Sequence, residues 1–351
     1  MADNSNEAKE QMAKAIISIC ADCWLKVFNF LAPSQLGLEI ALVSSRFDCF
    51  VDEHFKTRKW ALRKMRIWHK IGENGTKQMQ IVNSDGKPLP IPQNSLPKKV
   101  IGFEGIRISY IDHNVVAFLN HFRHLFTACC GTNLAIEKIS GRVSVFALPN
   151  IWPMLKHNIC SIVVWSAHDL CRLRQQCAVL SDCPALRSLT IGHFSPEFPA
   201  TDVSANASNN GQALAKWLLF PMADSNNGPP KLLRCHIHSK QQWSAKMEGF
   251  KTAFVNASSP ANFIVVFSWR PWAGDTVVPF ELTNKLSGDG GEELMTLKQY
   301  ERNRFLLVRC PLLRDQRKWA EWEREAKEWR FEERWNKIDI SVNGEDVADF
   351  R

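Results

Sequence analysis

Cys20 and Cys23 have the C-x-x-C spacing that occurs both in zinc sites and in thiol redox pairs. A structural zinc ion needs four ligands, and no second C-x-x-C or paired histidine run follows at a finger-like distance. A redox pair of the thioredoxin type needs a βαβ context, whereas this motif opens a stretch with helical periodicity. We therefore interpret the pair as two thiols on a helix surface.

The remaining polar side chains do not assemble an active site. His236 and His238 could share one side of a strand, but no carboxylate cluster accompanies them, and the adjacent Cys129 and Cys130 carry no further information. The sequence contains no G-x-x-x-x-G-K-[ST], G-x-G-x-x-G or G-x-S-x-G motif. We predict a protein that is not an enzyme and has no catalytic residue, no metal site and no cofactor.

Composition favours a globular chain in a reducing compartment. The 351 residues are 45% hydrophobic and 23% charged, which excludes a disordered protein. No apolar run reaches the roughly 18 residues of a membrane span, and the polar start lacks the features of a signal peptide. The 11 cysteines are odd in number and occur in a sequence with no recognisable secretory signal, so we expect reduced thiols in a cytoplasmic or nuclear protein. We expect no membrane partner.

The net charge of +8 favours acidic partners only mildly. Residues 56–70 contain seven Lys or Arg and no acid, a run that could contact phosphates. We interpret it as the solvated face of a helix whose other side carries Phe55, Trp60 and Leu62, and we do not expect nucleic acid as a partner. The alternative, a nucleic-acid-binding protein, requires an affinity that falls steeply with salt.

Periodicity and turn residues divide the chain into five segments of mixed α+β or α/β class. Helical spacing predicts three short helices, over about 21–31, 34–44 and 46–60, with Pro33 between the first two. The segments are a disordered polar tail (1–14), this three-helix unit (15–62), a hairpin with a Pro-rich linker (63–99), a strand–helix repeat region (100–275), and a C-terminal β-hairpin with a charged, Trp-rich helix (276–351).

One pattern recurs through the repeat region: apolar-x-x-apolar-x-apolar, followed by an amphipathic helical stretch. It begins at Phe103, Ile159, Leu186, Leu232 and Ile264. The first gap is two periods of about 28 residues, which predicts a further strand near Leu134 and Ile136. This period is typical of a leucine-rich-repeat-like solenoid, and the alternative is an ordinary α/β domain with evenly spaced strands.

The tryptophans near the end of the chain form a stripe. Trp319, Trp322, Ala326 and Trp329 are spaced 3, 4 and 3 along a helix predicted over 314–337. We expect the stripe to pack on the preceding β-strands of the same chain, and residues 337–342 to form a terminal strand.

Residues 19–47 resemble the F-box motif. Ile19 and Asp22 fall at its opening Leu and Glu, Phe28 and Leu31 at the end of its first helix, Leu36 at its turn Leu, and Val43, Arg46 and Phe47 at its last conserved set. The sequence departs from the motif where Cys20 replaces a Pro and where one extra residue lies between Leu36 and Val43. Over nearly its whole length the chain is similar to the divergent roundworm-type F-box proteins.

The resemblance implies a substrate-recognition subunit of an SCF-type cullin–RING E3 ubiquitin ligase. Three short helices cannot bury all their apolar side chains, so an apolar face should remain for a partner. That partner would be the Skp adaptor, bound through Ile19, Cys20, Phe28, Leu31, Pro33, Leu36, Val43, Arg46 and Phe47.

The family also implies that the segment beyond the F-box binds a target protein. Strand alternation places Arg107, Val163, Trp165, Thr190, Arg234, His236 and Arg270 on the outward face of the repeat strands. This basic face with one large aromatic side chain suits an acidic or phosphorylated protein. The alternative is a repeat scaffold for protein–protein interaction that never enters a ligase.

Overall fold

A computed structural model describes residues 19–57, 60–71, 77–91, 100–126, 131–136, 143–192, 210–219, 228–237, 243–269, 277–286 and 291–341. The strands in this part of the chain are β1 (Trp60–Ile71), β2 (Lys77–Asn83), β3 (Pro88–Leu89), β4 (Val100–Ile108), β5 (Thr132–Ile136), β6 (Ile159–Val164), β7 (Ser188–Ile191), β8 (Lys231–Ile237), β9 (Phe263–Trp269), β10 (Phe280–Lys285), β11 (Glu292–Glu301), β12 (Arg304–Pro311) and β13 (Lys337–Ile340).

The helices of the same ranges begin with α1 (Ala21–Phe28), α2 (Pro33–Gln35), a π-helical turn (Leu36–Ile40) and α3 (Ser45–Thr57). They continue with α4 (His113–His121), α5 (Arg123–Phe126), α6 (Val143–Leu155), α7 (Ala167–Cys177), α8 (Val179–Asp182), α9 (Asn210–Leu219), α10 (Trp243–Val255), α11 (Gln316–Glu328) and a 3-10 turn (Phe331–Glu333).

All 13 strands belong to one mostly parallel sheet, in the order β10-β11-β12-β9-β8-β7-β6-β5-β13-β4-β1-β2-β3. Strands β5 to β9 lie side by side in chain order and are parallel, with helices in the connections between them. Because such crossovers are almost always right-handed, the connecting helices share one face of the sheet. The predicted mixed α/β class is confirmed, and the strand predicted near Leu134 and Ile136 is β5.

Alternation along the strands builds the core between the sheet and these helices. Ile162 and Val164 of β6 and Leu189 and Ile191 of β7 are buried in the main hydrophobic cluster. The intervening positions point to the opposite face, which we call the open face. The repeating apolar residues therefore bury the face of the sheet on which the connecting helices lie.

The three-helix unit packs on the sheet and does not form a separate core. Phe28, Leu36 and Phe55 belong to the same buried cluster as the sheet residues, and α2 lies against β1. The observed helices are shorter than the sequence predicts, and the third ends at Thr57, with β1 beginning at Trp60.

The hairpin predicted in the 63–99 segment exists, but it belongs to the main sheet. Strand β1 pairs with β2 in antiparallel fashion and with β4 in parallel, so it is not part of a linker. The interpretation of residues 56–70 as one helix face is wrong beyond Thr57, because Met65 and Ile67 are buried while Arg66 and Trp68 alternate with them on the open face. The Pro-rich residues 92–99 and the predicted tail 1–14 lie outside the described residues.

The C-terminal segment adds strands to one edge of the sheet and packs a helix on its open face. Strands β10 to β12 extend the sheet beyond β9 in antiparallel fashion, as the predicted hairpin and third strand require. Helix α11 packs Trp319 and Ala326 on Ile264, Leu306 and Val308 of the open face, which confirms the expected contact with the preceding strands.

This helix is shorter than predicted, since it ends at Glu328 and leaves Trp329 and Trp335 beyond it. The terminal strand β13 lies between β4 and β5 and is parallel to both. None of the helices in the described ranges combines the length and the apolar character that crossing a membrane would require.

Candidate functional site

The first helix of the N-terminal unit is anchored by aromatic side chains. Phe28 is fully buried, with its ring centroid 6.3 Å from that of Trp24 and 5.8 Å from that of His54. Trp24 in turn meets Phe47 edge-to-face at 4.9 Å. These contacts join α1 to α3 and turn the opposite side of α1 outward.

The connection between α1 and α3 contains the turn that the resemblance predicts. Pro33 is buried at the first position of α2, where its missing N–H costs nothing. Leu36 is fully buried and begins the π-helical turn, in which the amide of Ala41 donates to the carbonyl of Leu36 at 2.9 Å. A π turn takes up one residue more than an α turn, so the extra residue before Val43 is accommodated here.

Arg46 ties the start of α1 to α3. Its Nη2 donates to the carbonyl oxygen of Ile19 at 3.3 Å, and its guanidinium lies 5.2 Å from the ring centroid of Phe50. The predicted F-box arginine therefore fixes the helical unit, although its side chain also remains exposed.

Four apolar side chains of this unit remain exposed, and we call them the N-terminal apolar patch. The exposed fractions are 89% for Phe30, 66% for Val43, 44% for Val27 and 41% for Ile19. Val27 and Phe30 are neighbours, because the amide of Phe30 donates to the carbonyl of Val27 at 3.0 Å. Exposed apolar side chains that lie together are typical of protein interaction sites, and Val27 and Phe30 are such neighbours.

The predicted adaptor-binding residues divide into three groups by exposure. Ile19, Cys20, Val43 and Arg46 are exposed, and Leu31 and Phe47 are half-buried. Phe28, Pro33 and Leu36 are buried within this chain, so their expected direct contact with a partner is wrong in this structure. Their burial follows from their place in the interior of the helical unit.

Sequence reasoning missed Val27 and Phe30 as exposed residues. Trp24, Phe28 and Leu31 follow helical spacing and point inward. Val27 is three residues after Trp24 and four before Leu31, so helical spacing alone would place it on the same inward stripe. Phe30 lies beyond the end of α1 at Phe28, and no signal in the sequence marks the exposure of either residue.

The open face of the sheet carries most of the predicted target-binding residues. Strand register aligns one row across it: Arg66, Arg107, Asp339, Ala135, Val163, Thr190 and Arg234, on β1, β4, β13, β5, β6, β7 and β8. Val163, Thr190 and Arg234 are adjacent, whereas β13 and β5 separate Arg107 from Val163. At about 4.8 Å per strand, Arg107 and Arg234 are roughly 24 Å apart along the row.

The C-terminal segment covers one end of this row. Arg234 donates from Nε and Nη2 to the carbonyl oxygen of Ala326, at 3.2 and 3.0 Å, and its guanidinium lies 4.3 Å from the ring centroid of Trp329. Burial, with the nearby Arg334 charge, lowers the pKa of Arg234 to about 9. The expectation that Arg234 faces a target is wrong in this structure, because the chain's own C-terminal segment occupies that position.

The other end of the open face remains accessible. Trp165 is 60% exposed, and Val163 and Thr190 are partly exposed beside it. Arg107 is exposed, with its Nε 3.3 Å from Oδ2 of Asp339 on β13. His236 is exposed, and its Nδ1 lies 2.5 Å from the hydroxyl of Ser268. Arg270 and His238 lie outside the described residues.

Strand β1 adds basic and aromatic side chains that the sequence had assigned to a helix face. Lys64, Arg66, Trp68 and Lys70 are exposed along it, and the Arg66 guanidinium lies 6.0 Å from the Trp68 ring centroid. Arg66 and Arg107 are register partners, so two arginines lie on adjacent strands at this end of the open face. The accessible part of the face is therefore basic at β1 and β4 and aromatic at β6.

No group of three or more His, Cys, Asp or Glu side chains is arranged to hold a metal ion within the ranges that the structure describes. No family model, curated protein or solved structure matches this chain.

Proposed function

We propose that this chain is the substrate-recognition subunit of an SCF-type cullin–RING ubiquitin ligase. The N-terminal helical unit would bind the Skp adaptor, and the accessible part of the open face would bind a target protein. Other subunits would carry out ubiquitin transfer, so this chain would supply binding and positioning only.

The observation that carries the proposal is the N-terminal apolar patch, of which two residues fall at F-box positions and two lie between them. Ile19 and Val43 fall at F-box positions and are exposed. Phe30 lies between the aligned residues Phe28 and Leu31 and exposes almost its whole side chain. Burying one such side chain contributes about 1.5–3 kcal/mol, so a few of them suffice for a stable complex.

The second departure from the F-box pattern has a structural explanation that supports the same proposal. The extra residue between Leu36 and Val43 lies where the chain forms the π-helical turn. The turn absorbs the insertion before Val43, and the residues from Val43 to Phe47 keep the Val-x-x-Arg spacing of the motif in the sequence itself.

The proposed target site comprises Arg66, Trp68, Arg107, Val163 and Trp165. The exposed guanidinium of Arg66 favours carboxylate or phosphate groups, which arginine binds through two parallel hydrogen bonds, whereas that of Arg107 already pairs with Asp339. The exposed rings of Trp68 and Trp165 offer the large aromatic contacts that dominate many protein interfaces. An acidic or phosphorylated protein segment fits this combination of charge and aromatic surface.

The experiment is co-purification of the full chain with a purified Skp adaptor. Phe30→Ser combined with Val43→Ser should abolish co-purification, because the variant loses two apolar side chains of the proposed adaptor face. Both side chains are exposed and contribute little to folding, so the variant should keep its fold. Leu313→Ser is the matched control, since Leu313 is 93% exposed but lies in the C-terminal part of the chain. Retained binding by the double variant, or equal loss by the control, would contradict the proposed adaptor face.

A repeat scaffold outside any ligase is the second candidate, and the accessible aromatic surface at Trp165 is compatible with it. The two differ in one property: a scaffold would retain target binding but would not bind the adaptor.

A further inference from the structure

Cys20 and Cys23 are the closest pair of thiols in the part of the chain that the structure describes. Their sulfur atoms are 3.2 Å apart and share a hydrogen bond, and both residues are exposed. Cys20 is the N-cap of α1 in an extended conformation, and Cys23 lies in the first turn of that helix. A disulfide needs the sulfurs to approach to about 2.05 Å, which a small side-chain rotation can provide from this distance.

The two thiols are electrostatically unequal. The pKa of Cys20 is lowered, first by the hydrogen bond between the two thiols, which a Cys20 thiolate would accept, and then by the amide of Cys23. The pKa of Cys23 is raised, because its proton is shared with the Cys20 sulfur and because a Cys20 thiolate would lie beside it. Either thiol can donate in the neutral pair, but Cys20 ionises first.

Three cysteines elsewhere in the chain are buried and have raised pKa values. Burial raises the pKa of Cys177 and Cys183 to about 12 and that of Cys310 to about 11, so these thiols are unreactive near neutral pH. Cys49 is exposed on α3 and provides a single-thiol comparison in the same helical unit.

We propose that Cys20 and Cys23 form a reversible redox site that is oxidised by small disulfides of the glutathione class. The inference rests on the sulfur–sulfur distance and the exposure of both thiols, and it does not depend on adaptor binding. It replaces the interpretation of the pair as two inert thiols on a helix surface.

The reaction has two exchange steps. The Cys20 thiolate attacks one sulfur of oxidised glutathione, so a protein–glutathione bond forms, the glutathione disulfide bond breaks and one glutathione leaves. Cys23 then loses its proton and attacks the Cys20 sulfur, which forms the Cys20–Cys23 bond and releases the second glutathione. Two protein thiols are oxidised by two electrons, and one glutathione disulfide is reduced to two glutathione molecules that take up the two protons.

The test uses the full chain, reduced, freed of reductant and incubated with oxidised glutathione before thiol alkylation and peptide mapping. We expect loss of alkylation at both Cys20 and Cys23, a peptide lighter by two hydrogen atoms and recovery of both thiols with excess dithiothreitol. Cys49 should give only a mixed disulfide with glutathione, formed several-fold more slowly than the first step at Cys20.

Two variants make the result decisive, and serine is tolerated at both exposed positions. Cys23→Ser should stop the reaction at a stable glutathione adduct on Cys20, because the resolving thiol is missing. Cys20→Ser should slow the reaction at Cys23 at least several-fold. The proposal is overturned if the wild-type chain accumulates glutathione adducts on both thiols with no internal disulfide, or if Cys49 reacts as fast as Cys20.

Discussion

Asn336 joins the C-terminal strand to Phe103, a residue 233 positions earlier in the chain. The Asn336 side-chain oxygen accepts a hydrogen bond from the Phe103 amide at 2.9 Å, and the Asn336 amide donates to the Phe103 carbonyl at 2.7 Å. Asn336 has a φ of 51°, a left-handed conformation that asparagine tolerates better than most residues. Because β13 has only four residues, this contact fixes its register between β4 and β5.

Replacing Asn336 by Ala should therefore destabilise the whole sheet. The variant loses a buried hydrogen bond and gains left-handed strain, and we expect the free energy of unfolding to fall by about 2–3 kcal/mol. Asn336→Gly is the matched comparison, because it loses the side chain but accepts the backbone conformation, and it should be less destabilised than Ala. Urea unfolding measures both, and an Ala variant as stable as wild type would show that β13 is held by other contacts.

Lys231 should make stability depend on pH in the alkaline range. Its side chain is buried and donates to the carbonyl of Trp217, and burial, with the charge of Arg187, lowers its pKa from 10.5 to about 8. The unfolded chain therefore binds a proton between pH 8 and 10.5 that the folded chain has lost, so the free energy of unfolding rises with pH there. Below pH 8 the full cost of the buried charge is present.

Lys231→Met should remove this pH dependence and raise the free energy of unfolding at pH 7 by about 1–2 kcal/mol, after the lost hydrogen bond is included. Urea unfolding of both proteins at pH 7, 9 and 10 measures the difference. Parallel pH profiles for wild type and variant would contradict a lowered pKa at this lysine.

Arg234 should hold the C-terminal segment on the open face. Arg234→Ala removes the two hydrogen bonds to Ala326 and the contact with Trp329, so we expect backbone amides at the end of α11 to exchange about 10-fold faster, which corresponds to about 1.4 kcal/mol. His236→Ala is the matched control on the same strand, because His236 is exposed and its Nδ1 contacts the hydroxyl of Ser268 on β9. Equal exchange in the Arg234 variant and in wild type would mean that the segment is fixed by the Trp319 stripe alone.

The repeat strands were predictable because their signal is local. The apolar pattern beginning at Ile159 alternates along the strand and buries Ile162 and Val164 against the connecting helices. The strand at Leu134 was found from the period alone, although its own sequence matches the pattern poorly. The Trp319 stripe was predictable for the same reason, since helical spacing already defines its buried side.

Other parts of the fold depend on contacts between distant residues. Nothing near Lys337 in the sequence indicates that β13 inserts between β4 and β5, since that position is set by Phe103 and Asn133. Residues 60–71 combine Lys and Arg with scattered apolar residues, a mixture that fits a helix face as well as a strand. Pairing with β4 selects the strand, and this pairing cannot be read from the local sequence.

Two of the four residues of the N-terminal apolar patch, Ile19 and Val43, are among the predicted adaptor-binding residues, and Val27 and Phe30 are not. Motif alignment identified Phe28 and Leu36, which form the interior of the helical unit. The motif as matched to this sequence assigns no position to the exposed residues Val27 and Phe30, so the resemblance does not mark them. Exposure depends on how α1 packs against α3, and that packing is a tertiary property.

The most direct test of the central claim is calorimetric titration of the purified full chain with the purified Skp adaptor. We predict a one-to-one complex with a Kd below about 1 μM, corresponding to about −8 kcal/mol, and a negative heat-capacity change from apolar burial. Absence of binding at adaptor concentrations of about 100 μM would contradict assignment of this chain to the ligase.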